Sequence, residues 1–368
     1  MRILIAPDSY KECLSALRVA ECMRDGLAMS LPDSEFILRP MADGGEGTVD
    51  ALVHGLNGKK VEINTVDMFR RPITTYYGEL DSKTAVIEVA NIIGMEVSRE
   101  RNPYMASSFG VGDVIRKLYA RGFRKIYVGL GGSLTNDGGA GVLEALGLNF
   151  LNHNGFRFDV NGGNLSDIAT VEGSLMDGIN DLDIQLICDV DNPLCGKHGA
   201  TYTYGKQKGV TEQAMPEFEA SINDFALMVS DYLNVDMKNT PGAGAAGGIG
   251  FGLLCAGSTF VPGAEFVADI VLSDLDLTTI DYVITGEGRS DFQTKFGKLP
   301  VCVAKRINKN GGKSILISGG LGTDYQELYE YFLSMHSITD GPMSLDDAIT
   351  NAPSLIMNTC RNIGRLVQ

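Results

Sequence analysis

The chain has 368 residues, of which 44% are hydrophobic and 21% charged, a composition typical of a globular protein with more than one domain. Asp and Glu outnumber Lys and Arg by 46 to 31, which gives a formal net charge of −15. This balance argues against broad binding to nucleic acid or to an anionic membrane, because both require basic surfaces.

Cysteine usage and the lack of long apolar runs indicate the compartment. The seven cysteines are an odd number and none is in a C-x-x-C pair, so free thiols are expected rather than a disulfide framework or a zinc site. The apolar run at the N-terminus is too short for a signal peptide, and no stretch approaches the ~20 apolar residues of a membrane span. We therefore expect a cytoplasmic protein.

The first part of the chain alternates predicted strands and helices. Ile3–Ala6 is a short apolar run typical of a strand buried on both faces of a parallel sheet, and Pro7–Lys11 follows it. A helical repeat with Ser15 as its N-cap comes next. A strand at Phe36–Leu38 then leads to a helix that Gly58 is expected to end. This β-α-β-α order is the opening of a doubly wound sheet.

The middle of the chain has a different pattern. Consecutive strands with short turns over residues 61–89 look antiparallel, and a helix at 111–118 leads to an apolar strand at 126–128. Residues 150–183 have weak periodicity and yield no clear element. Residues 184–188 are again a clear strand.

After about residue 260 the alternation of the opening returns. It consists of a strand at 282–284, a helix begun by Pro300, a strand at 314–317 and a final helix from Leu345. We predict an α/β fold of two domains, in which a mixed α/β domain is inserted into a discontinuous, doubly wound (Rossmann/flavodoxin-like) parallel-sheet domain. The predicted boundaries are 1–66 and 262–368 for the discontinuous domain and 67–261 for the inserted one.

A polar glycine loop, Gly129–Gly141, is the most informative stretch. Its six glycines in thirteen residues cost backbone entropy, and one reason to keep them is to bring backbone N–H groups to an anion at a helix N-terminus. Ser133, Thr135, Asn136 and Asp137 add groups that can bind a metal or orient a hydroxyl. A tight strand-to-helix turn is the alternative, but it does not explain this polar set.

Other polar clusters also follow predicted strands. Besides the cluster in the glycine loop, they are Asp8–Lys11, Asp43–Thr48, Asp189–Asn192 and Glu287–Asp291. Ligands of open α/β sheets bind at the carboxyl ends of strands, so these clusters are expected to converge on one cleft. Each cluster taken singly is equally compatible with a capped loop.

Phosphoryl transfer requires parts of this kind. Backbone N–H groups and basic side chains neutralise phosphate oxygens, carboxylates or hydroxyls bind Mg²⁺, and an Asp accepts the proton of the acceptor hydroxyl. No G-x-x-x-x-G-K-[ST] sequence occurs, so a P-loop is excluded. The dinucleotide-binding motif G-x-G-x-x-G does not open a helix after a first strand. This argues against the alternative that the chain is a hydroxy-acid dehydrogenase. A third hypothesis is a non-catalytic binding protein with two α/β lobes around a small acid. Such a protein would not need so many carboxylates in its glycine loops.

Six segments in order resemble the type-1 (bacterial) glycerate kinases over nearly the whole chain. They are Ala6–Lys11, Met41–Thr48, Gly129–Gly141, Cys188–Leu194, Gly242–Gly252, and Thr285–Asp291 with Gly297 and Lys298. The resemblance implies Mg²⁺- and ATP-dependent phosphorylation of D-glycerate in a two-domain α/β fold, with the site between the domains. It also implies 2-phosphoglycerate as the product, in glycerate, glyoxylate or sugar-acid catabolism. The alternatives are 3-phosphoglycerate as the product, or a non-kinase hydroxy-acid enzyme or binding protein. D-Glycerate and ATP are the expected partners, nucleic acid and membrane are not, and the chain is expected to be a monomer or a homodimer.

Within this resemblance we assign hypothetical roles to individual residues. The catalytic set is Asp189 or Asp191 as the base, with Lys11. The substrate set is Asp8, Ser9, Asp43, Glu46, Arg70 and Arg289. The nucleotide and phosphate set is Gly131, Gly132, Ser133, Thr135, Asn136 and Lys298. The metal set is Asp137, Glu287 and Asp291. The Gly242–Gly252 run either supplies backbone donors or is a close packing surface.

Overall fold

The computed structural model describes residues 1–95 and 97–368, which fold into two compact units. Unit 1 consists of Met1–Asp43, Asp50–Asn57 and Gly263–Gln368. Unit 2 consists of Gly44–Val49 and Gly58–Pro262.

The described residues form strands and helices with the following bounds. The strands are β1 (Arg2–Ile5), β2 (Glu35–Leu38), β3 (Lys59–Val66), β4 (Pro72–Glu79), β5 (Thr84–Glu88), β6 (Lys125–Gly129), β7 (Leu148–Asn152), β8 (Ile168–Gly173), β9 (Asp183–Ile187), β10 (Thr259–Val261), β11 (Tyr282–Ser290), β12 (Lys313–Leu321) and β13 (Ser334–Ser337). The helices are α1 (Ala16–Ala28), α2 (Thr48–Gly55), α3 (Ala90–Ile93), α4 (Phe109–Ala120), α5 (Ala140–Ala145), α6 (Ala200–Tyr204), α7 (Met215–Leu233), α8 (Ile249–Cys255), α9 (Gly263–Val271), α10 (Leu299–Lys309) and α11 (Leu345–Leu366).

The sheet of unit 1 is entirely parallel and has the order β13-β12-β11-β1-β2. Numbered along the unit, this is the flavodoxin order 2-1-3-4-5, in which the direction of winding reverses between β1 and β11. Ile3 and Ile5 of β1 are fully buried, as the apolar run predicts. Ser15 caps α1 by accepting the N–H of Arg18 at 3.4 Å, and Pro300 lies in the first turn of α10, as predicted.

Two boundaries in unit 1 differ from the prediction. Strand β11 extends to Ser290, so that most of the segment predicted as a loop at 285–291 is strand paired with β12. Gly286 permits this pairing, because a Cβ there would collide with the carbonyl oxygen of Ile317. Helix α2 ends at Gly55, three residues before the predicted glycine cap at Gly58.

The sheet of unit 2 is mixed and has the order β10-β9-β6-β5-β4-β3. Strands β10, β9, β6 and β5 are parallel, whereas β4 is antiparallel to both β5 and β3, as the short turns predict. The weakly periodic region contains an antiparallel hairpin of β7 and β8, which the prediction missed. Residues 58–66 belong to unit 2 because β3 pairs with β4 along its whole length, so this division differs from the predicted boundary after residue 66.

Two further expectations concern the cysteines and the membrane. All seven cysteines are free thiols, and four of them are buried. Among the residues that the structure describes, no helix combines the length and the apolar character needed to cross a bilayer.

Candidate active site

Three acidic residues, Asp8, Asp43 and Glu287, lie near the ends of β1 and β11, the two strands between which the sheet of unit 1 changes its direction of winding. Asp8 follows β1, and its N–H donates to the carbonyl oxygen of Gly286 on β11 at 2.8 Å. The Asp8 side chain is 8% exposed, and its Oδ1 accepts the N–H of Ser9 at 2.6 Å. Burial raises the pKa of Asp8 well above its ordinary value, the neighbouring carboxylates of Asp43 and Glu287 raise it further, and the Ser9 N–H and Lys11 oppose this. The negative charges of Asp43 and Glu287 therefore lie close enough to Asp8 to disfavour its ionisation.

Glu287 is held in place by three side chains from the segment after it. Its Oε1 accepts the hydroxyls of Ser290 at 3.0 Å and Thr294 at 2.8 Å, and its Oε2 lies 3.1 Å from Nζ of Lys298. Asp291 begins a 3₁₀ turn and accepts the N–H of Gln293 at 2.9 Å. The predicted phosphate-binding Lys298 is thus the ion-pair partner of a predicted metal ligand.

The remaining predicted residues of unit 1 differ in exposure. Ser9 is buried, whereas the cationic side chains of Lys11 and Arg289 are exposed to solvent. Exposed cations at the ends of β1 and β11 are accessible to an anionic ligand.

Unit 2 brings together two glycine-rich segments that the sequence analysis singled out. The N–H of Gly131 donates to the carbonyl oxygen of Gly44 at 3.0 Å. A Cβ added to Gly131 would lie 2.5 Å from Cα of Gly45. The buried Glu88 at the end of β5 accepts the N–H of Val49 at 3.1 Å and so holds the second segment as it enters α2. Glu46, in the same segment, is exposed.

Asp137 is completely buried and ties the glycine loop to two helices. Its Oδ2 accepts the N–H of Ser108 at 2.7 Å, the hydroxyl of Ser108 at 2.8 Å and the N–H of Gly141 at 3.2 Å. Its Oδ1 accepts the N–H of Gly139 at 3.1 Å. Burial raises the pKa of Asp137, and these four hydrogen bonds oppose that rise. The carboxylate therefore links the starts of α4 and α5.

The glycine loop bonds a buried lysine that the sequence analysis missed. Lys208 is 2% exposed, and its Nζ donates to Oγ of Ser133 at 2.9 Å and to the carbonyl oxygen of Thr135 at 2.8 Å. Burial lowers the pKa of Lys208 to about 7, opposed by the charge of Asp137. No signal in the sequence distinguishes Lys208 from the exposed Lys206 beside it.

Asn136 continues this polar layer. Its Nδ2 donates to Oγ1 of Thr201 at 3.1 Å. Within the described part of the chain, Oδ1 of Asn136 and Oγ1 of Thr135 are buried without a hydrogen-bond partner. Gly131 is half-buried and Gly132 is exposed, so the first part of the loop remains accessible to solvent.

The Gly242–Gly252 run packs against the glycine loop. The N–H of Gly138 donates to the carbonyl oxygen of Gly247 at 3.0 Å, and a Cβ on Gly252 would lie 2.8 Å from the carbonyl oxygen of Gly139. Of the two readings left open for this run, these contacts are those of a close packing surface.

Asp189 and Asp191 follow β9 in unit 2 and are both exposed. The loop that carries them is held by Asn192, whose Oδ1 accepts the hydroxyl of Tyr204 at 2.6 Å and whose Nδ2 donates to the carbonyl oxygen of His198 at 2.8 Å. The two carboxylates therefore lie on a solvent-accessible loop that these hydrogen bonds hold.

Arg70 lies within the packing of unit 2. Its Nη2 bonds Oε2 of Glu144, whose side chain is 2% exposed, and donates to the carbonyl oxygen of Val160 at 3.2 Å. Its guanidinium carbon is 4.3 Å from the centre of the Phe109 ring. Burial raises the pKa of Glu144, and Arg70 opposes that rise. The surroundings of Arg70 are those of a buried ion pair.

By its fold, the chain belongs to the class of two-unit α/β proteins whose polar loops follow parallel strands. The chain is similar throughout to a crystal structure attributed to glycerate kinase 2 from Salmonella typhimurium LT2. The TM-score is 0.84 at 35% sequence identity, covering 100% of this chain and 98% of that one. The predicted α/β fold class is therefore confirmed.

Sequence comparison gives the family. The model of the glycerate kinase family matches residues 3–368. The glycerate kinase of Bacillus cereus is 38% identical over 369 residues, covering 99% of this chain and 97% of that protein. The glycerate 2-kinase of Escherichia coli is 36% identical over 369 residues, with the same coverage of each chain.

The chain belongs to the glycerate kinase family. It is an enzyme with glycerate kinase activity, a phosphotransferase that uses an alcohol group as acceptor, and the predicted enzyme class is confirmed. This activity implies glycerate as substrate and ATP as co-substrate.

Proposed function

We propose that the chain transfers the γ-phosphoryl group of ATP to the 2-hydroxyl of D-glycerate, giving 2-phosphoglycerate. The observation that supports this product is the 36% identity to the E. coli glycerate 2-kinase over 99% of the chain. Phosphorylation at the 3-hydroxyl is the alternative. We further propose that the enzyme works in the cytoplasm, in glycerate, glyoxylate or sugar-acid catabolism.

For unit 1, we propose that the loops after β1 and β11 bind glycerate. Asp8, Ser9 and Asp43 would hold its hydroxyl groups, because carboxylates accept hydrogen bonds from hydroxyls. The exposed cations Lys11 and Arg289 would pair with its carboxylate or with the γ-phosphate. The flavodoxin strand order supports this proposal, because ligands of open α/β sheets bind where the winding reverses.

For unit 2, we propose that the first part of the glycine loop binds the phosphates of ATP. Gly132 and Ser133 offer backbone N–H groups and a hydroxyl at the accessible edge of the loop, whereas the N–H of Gly131 is donated to Gly44. Thr135 and Asn136, which carry the unpartnered buried oxygens, support the loop from within. A glycine-rich loop that precedes a helix favours anions through its backbone dipoles.

We propose that Asp189 or Asp191 accepts the proton of the glycerate hydroxyl. Both carboxylates are exposed on a loop held by hydrogen bonds of Asn192, which supports a role in contact with substrate. Glu46, which is also exposed, is a further candidate for binding substrate hydroxyls.

The predicted metal set does not fit a preformed magnesium site. Among the described residues there is no cluster of three or more His, Cys, Asp or Glu that could hold a metal ion. Asp137 is saturated by four protein donors, and Glu287 is engaged by two hydroxyls and Lys298. Mg²⁺ commonly keeps several waters and binds through substrate phosphates with few protein ligands. We therefore propose that it arrives as part of Mg·ATP, and that Asp137 and Arg70 have structural roles.

The proposal is tested by incubating the enzyme with ATP, Mg²⁺ and D-glycerate, measuring ADP release and analysing the product by ³¹P NMR. We expect ADP release that depends on D-glycerate, together with a phosphomonoester signal split by the single hydrogen on C2. A signal split by the two hydrogens on C3 would show that the product is 3-phosphoglycerate and not 2-phosphoglycerate. Absence of D-glycerate-dependent ADP release would reject the proposed reaction.

A further inference from the structure

We propose that Lys208 is a positioning residue that fixes the hydroxyl of Ser133 as a hydrogen-bond donor toward the phosphate oxygens of the nucleotide. This inference rests on the proposed phosphate-binding role of the glycine loop and adds a residue outside every segment that indicated the function.

The burial of Lys208 is the first observation. It ends a short 3₁₀ turn, Lys206–Lys208, in which Lys206 is exposed while Lys208 is 2% exposed. A fully buried lysine is uncommon because its head group must leave water, so its hydrogen bonds have to compensate for that loss. Gly247 makes room for the head group, since a Cβ there would lie 2.8 Å from Nζ of Lys208.

The bond between Lys208 and Ser133 restricts the serine hydroxyl. Nζ lies 2.9 Å from Oγ of Ser133. In its charged form, which the neighbouring charge of Asp137 favours and an anionic phosphate would favour further, the lysine donates but cannot accept. The serine oxygen is therefore the acceptor in this bond, and its own hydrogen has to point to another group. Ser133 is 8% exposed and follows the exposed Gly132, so this hydrogen can reach an acceptor at the edge of the loop.

The second bond of Lys208 fixes the backbone on the other side of Ser133. Nζ donates to the carbonyl oxygen of Thr135 at 2.8 Å, so one ammonium group holds two points of the same loop. The unpartnered buried oxygens of Thr135 and Asn136 show that the described protein groups alone do not satisfy this loop. A charged phosphate oxygen is the strongest acceptor available to the Ser133 hydroxyl, because hydrogen bonds to ionised groups are about twice as strong as neutral ones.

The experiment compares four variants of the full-length enzyme: Lys208→Met, Ser133→Ala, the double variant, and Lys206→Met as a control. Lys206 is matched in type and position, and its ion-pair partner is the exposed Glu212 at 3.2 Å. Calorimetry gives the Kd of Mg·ATP for each variant. Steady-state kinetics gives KM for D-glycerate and kcat.

We expect Lys208→Met and Ser133→Ala each to raise the Kd of Mg·ATP about tenfold, the loss of a hydrogen bond to a charged group. KM for D-glycerate should stay within about twofold, whereas a general loss of structure would raise both constants. The Kd of Mg·ATP for the double variant should be at most about twofold higher than that of the single variant that binds Mg·ATP more weakly. The reason is that the effects of two substitutions that remove the same contact do not add. Lys206→Met should bind as the unaltered enzyme does.

Ser133→Ala keeps the inference falsifiable if Lys208→Met does not fold, because it removes the hydroxyl on which the inference depends and leaves Lys208 its bond to Thr135. Unchanged binding of Mg·ATP by Ser133→Ala would overturn the inference. It would also be overturned if the increase in Kd for the double variant were the product of the increases for the two single variants. If the unaltered enzyme still releases ADP with D-glycerate in that case, the proposed function stands and only the role of Lys208 fails.

Discussion

The backbone of Gly131 lies so close to that of Gly45 that Gly131 has no room for a side chain: a Cβ there would lie 2.5 Å from Cα of Gly45. The N–H of Gly131 also donates to Gly44, so two loops separated by more than 80 residues in the chain share one hydrogen bond and one steric contact. This explains the glycine at position 131 without requiring that it contacts a ligand.

Gly131→Ala is expected to destabilise unit 2. The added Cβ would lie 2.5 Å from Cα of Gly45, and overpacking of this kind typically costs about 1–3 kcal/mol. Differential scanning calorimetry should record a Tm lower by several degrees, since about 1 kcal/mol corresponds to ~2–4 °C in a unit of this size. Gly341→Ala is the control, because no atom lies within 4 Å of a Cβ at that glycine. An unchanged Tm for Gly131→Ala would contradict the close contact.

Asp8→Asn is expected to change how stability depends on pH. The pKa of Asp8 is raised above its ordinary value of 3.8, so the folded protein binds this proton more tightly than the unfolded chain does. Stability contributed by the protonated form is therefore complete below pH 3.8 and is lost as the pH rises through the raised pKa. Asparagine stays neutral and keeps an oxygen for the Ser9 N–H.

The measurement is Tm against pH from 4 to 9 for Asp8→Asn, with Asp33→Asn, an exposed acid of the same unit, as the control. The Asp8→Asn substitution should remove part of the fall in Tm that the unaltered enzyme undergoes as the pH rises. Activity should fall by about 10² or more if the carboxylate binds or deprotonates substrate. If the plots of Tm against pH for Asp8→Asn and for the unaltered enzyme are parallel, burial does not disfavour the charged form of Asp8.

Asp137 is expected to stabilise the loop rather than bind the metal. Asp137→Ala would leave the N–H and hydroxyl of Ser108 and two glycine N–H groups buried without their acceptor. Each unsatisfied donor costs about 1–3 kcal/mol, so urea unfolding should show a loss of at least ~3 kcal/mol, or no folded protein. Asp137→Asn keeps one carbonyl oxygen and should lie in between, with an unchanged Mg²⁺ requirement. Normal stability of Asp137→Ala with a raised Mg²⁺ requirement would instead support Asp137 as a metal ligand. The control is Asp181→Ala, at an exposed site.

Asp189→Asn and Asp191→Asn test the base. The residue that accepts the hydroxyl proton should lose at least ~10² in kcat with little change in KM, since general-base catalysis acts on the transition state. The other variant should retain most of its turnover. Both carboxylates are exposed, so neither substitution should lower Tm by more than about 1 °C. Near-normal turnover in both variants would exclude this pair.

Arg70→Met is expected to act on stability and not on glycerate binding. Removing one partner of a buried ion pair typically costs about 3–5 kcal/mol, and the buried Glu144 would keep only the more distant Arg157, at 3.9 Å, as a cation. Arg71→Met is the matched control, since Arg71 pairs with Glu100 at 3.0 Å and both side chains are about half exposed. A folded Arg70→Met enzyme with a strongly raised KM for glycerate and a normal Tm would instead support substrate binding.

Much of the fold could be predicted because its signals are local. The apolar run at Ile3–Ala6, the serine cap of α1 and the short turns between β3, β4 and β5 depend on neighbouring residues, and the structure contains each of them. The extent of β11 could not be predicted, because its polar, glycine-rich second half is strand only through pairing with β12.

By itself, the sequence determined the α/β alternation, the glycine-rich loops and the family, since periodicity, caps and motif order are written in the order of residues along the chain. Only the tertiary structure decided which polar groups are saturated and which remain accessible. Lys208 meets Ser133 across 75 residues, and Asp137 meets Ser108 across 29. A buried polar group is paired by whatever the fold brings beside it, and no local pattern encodes that partner.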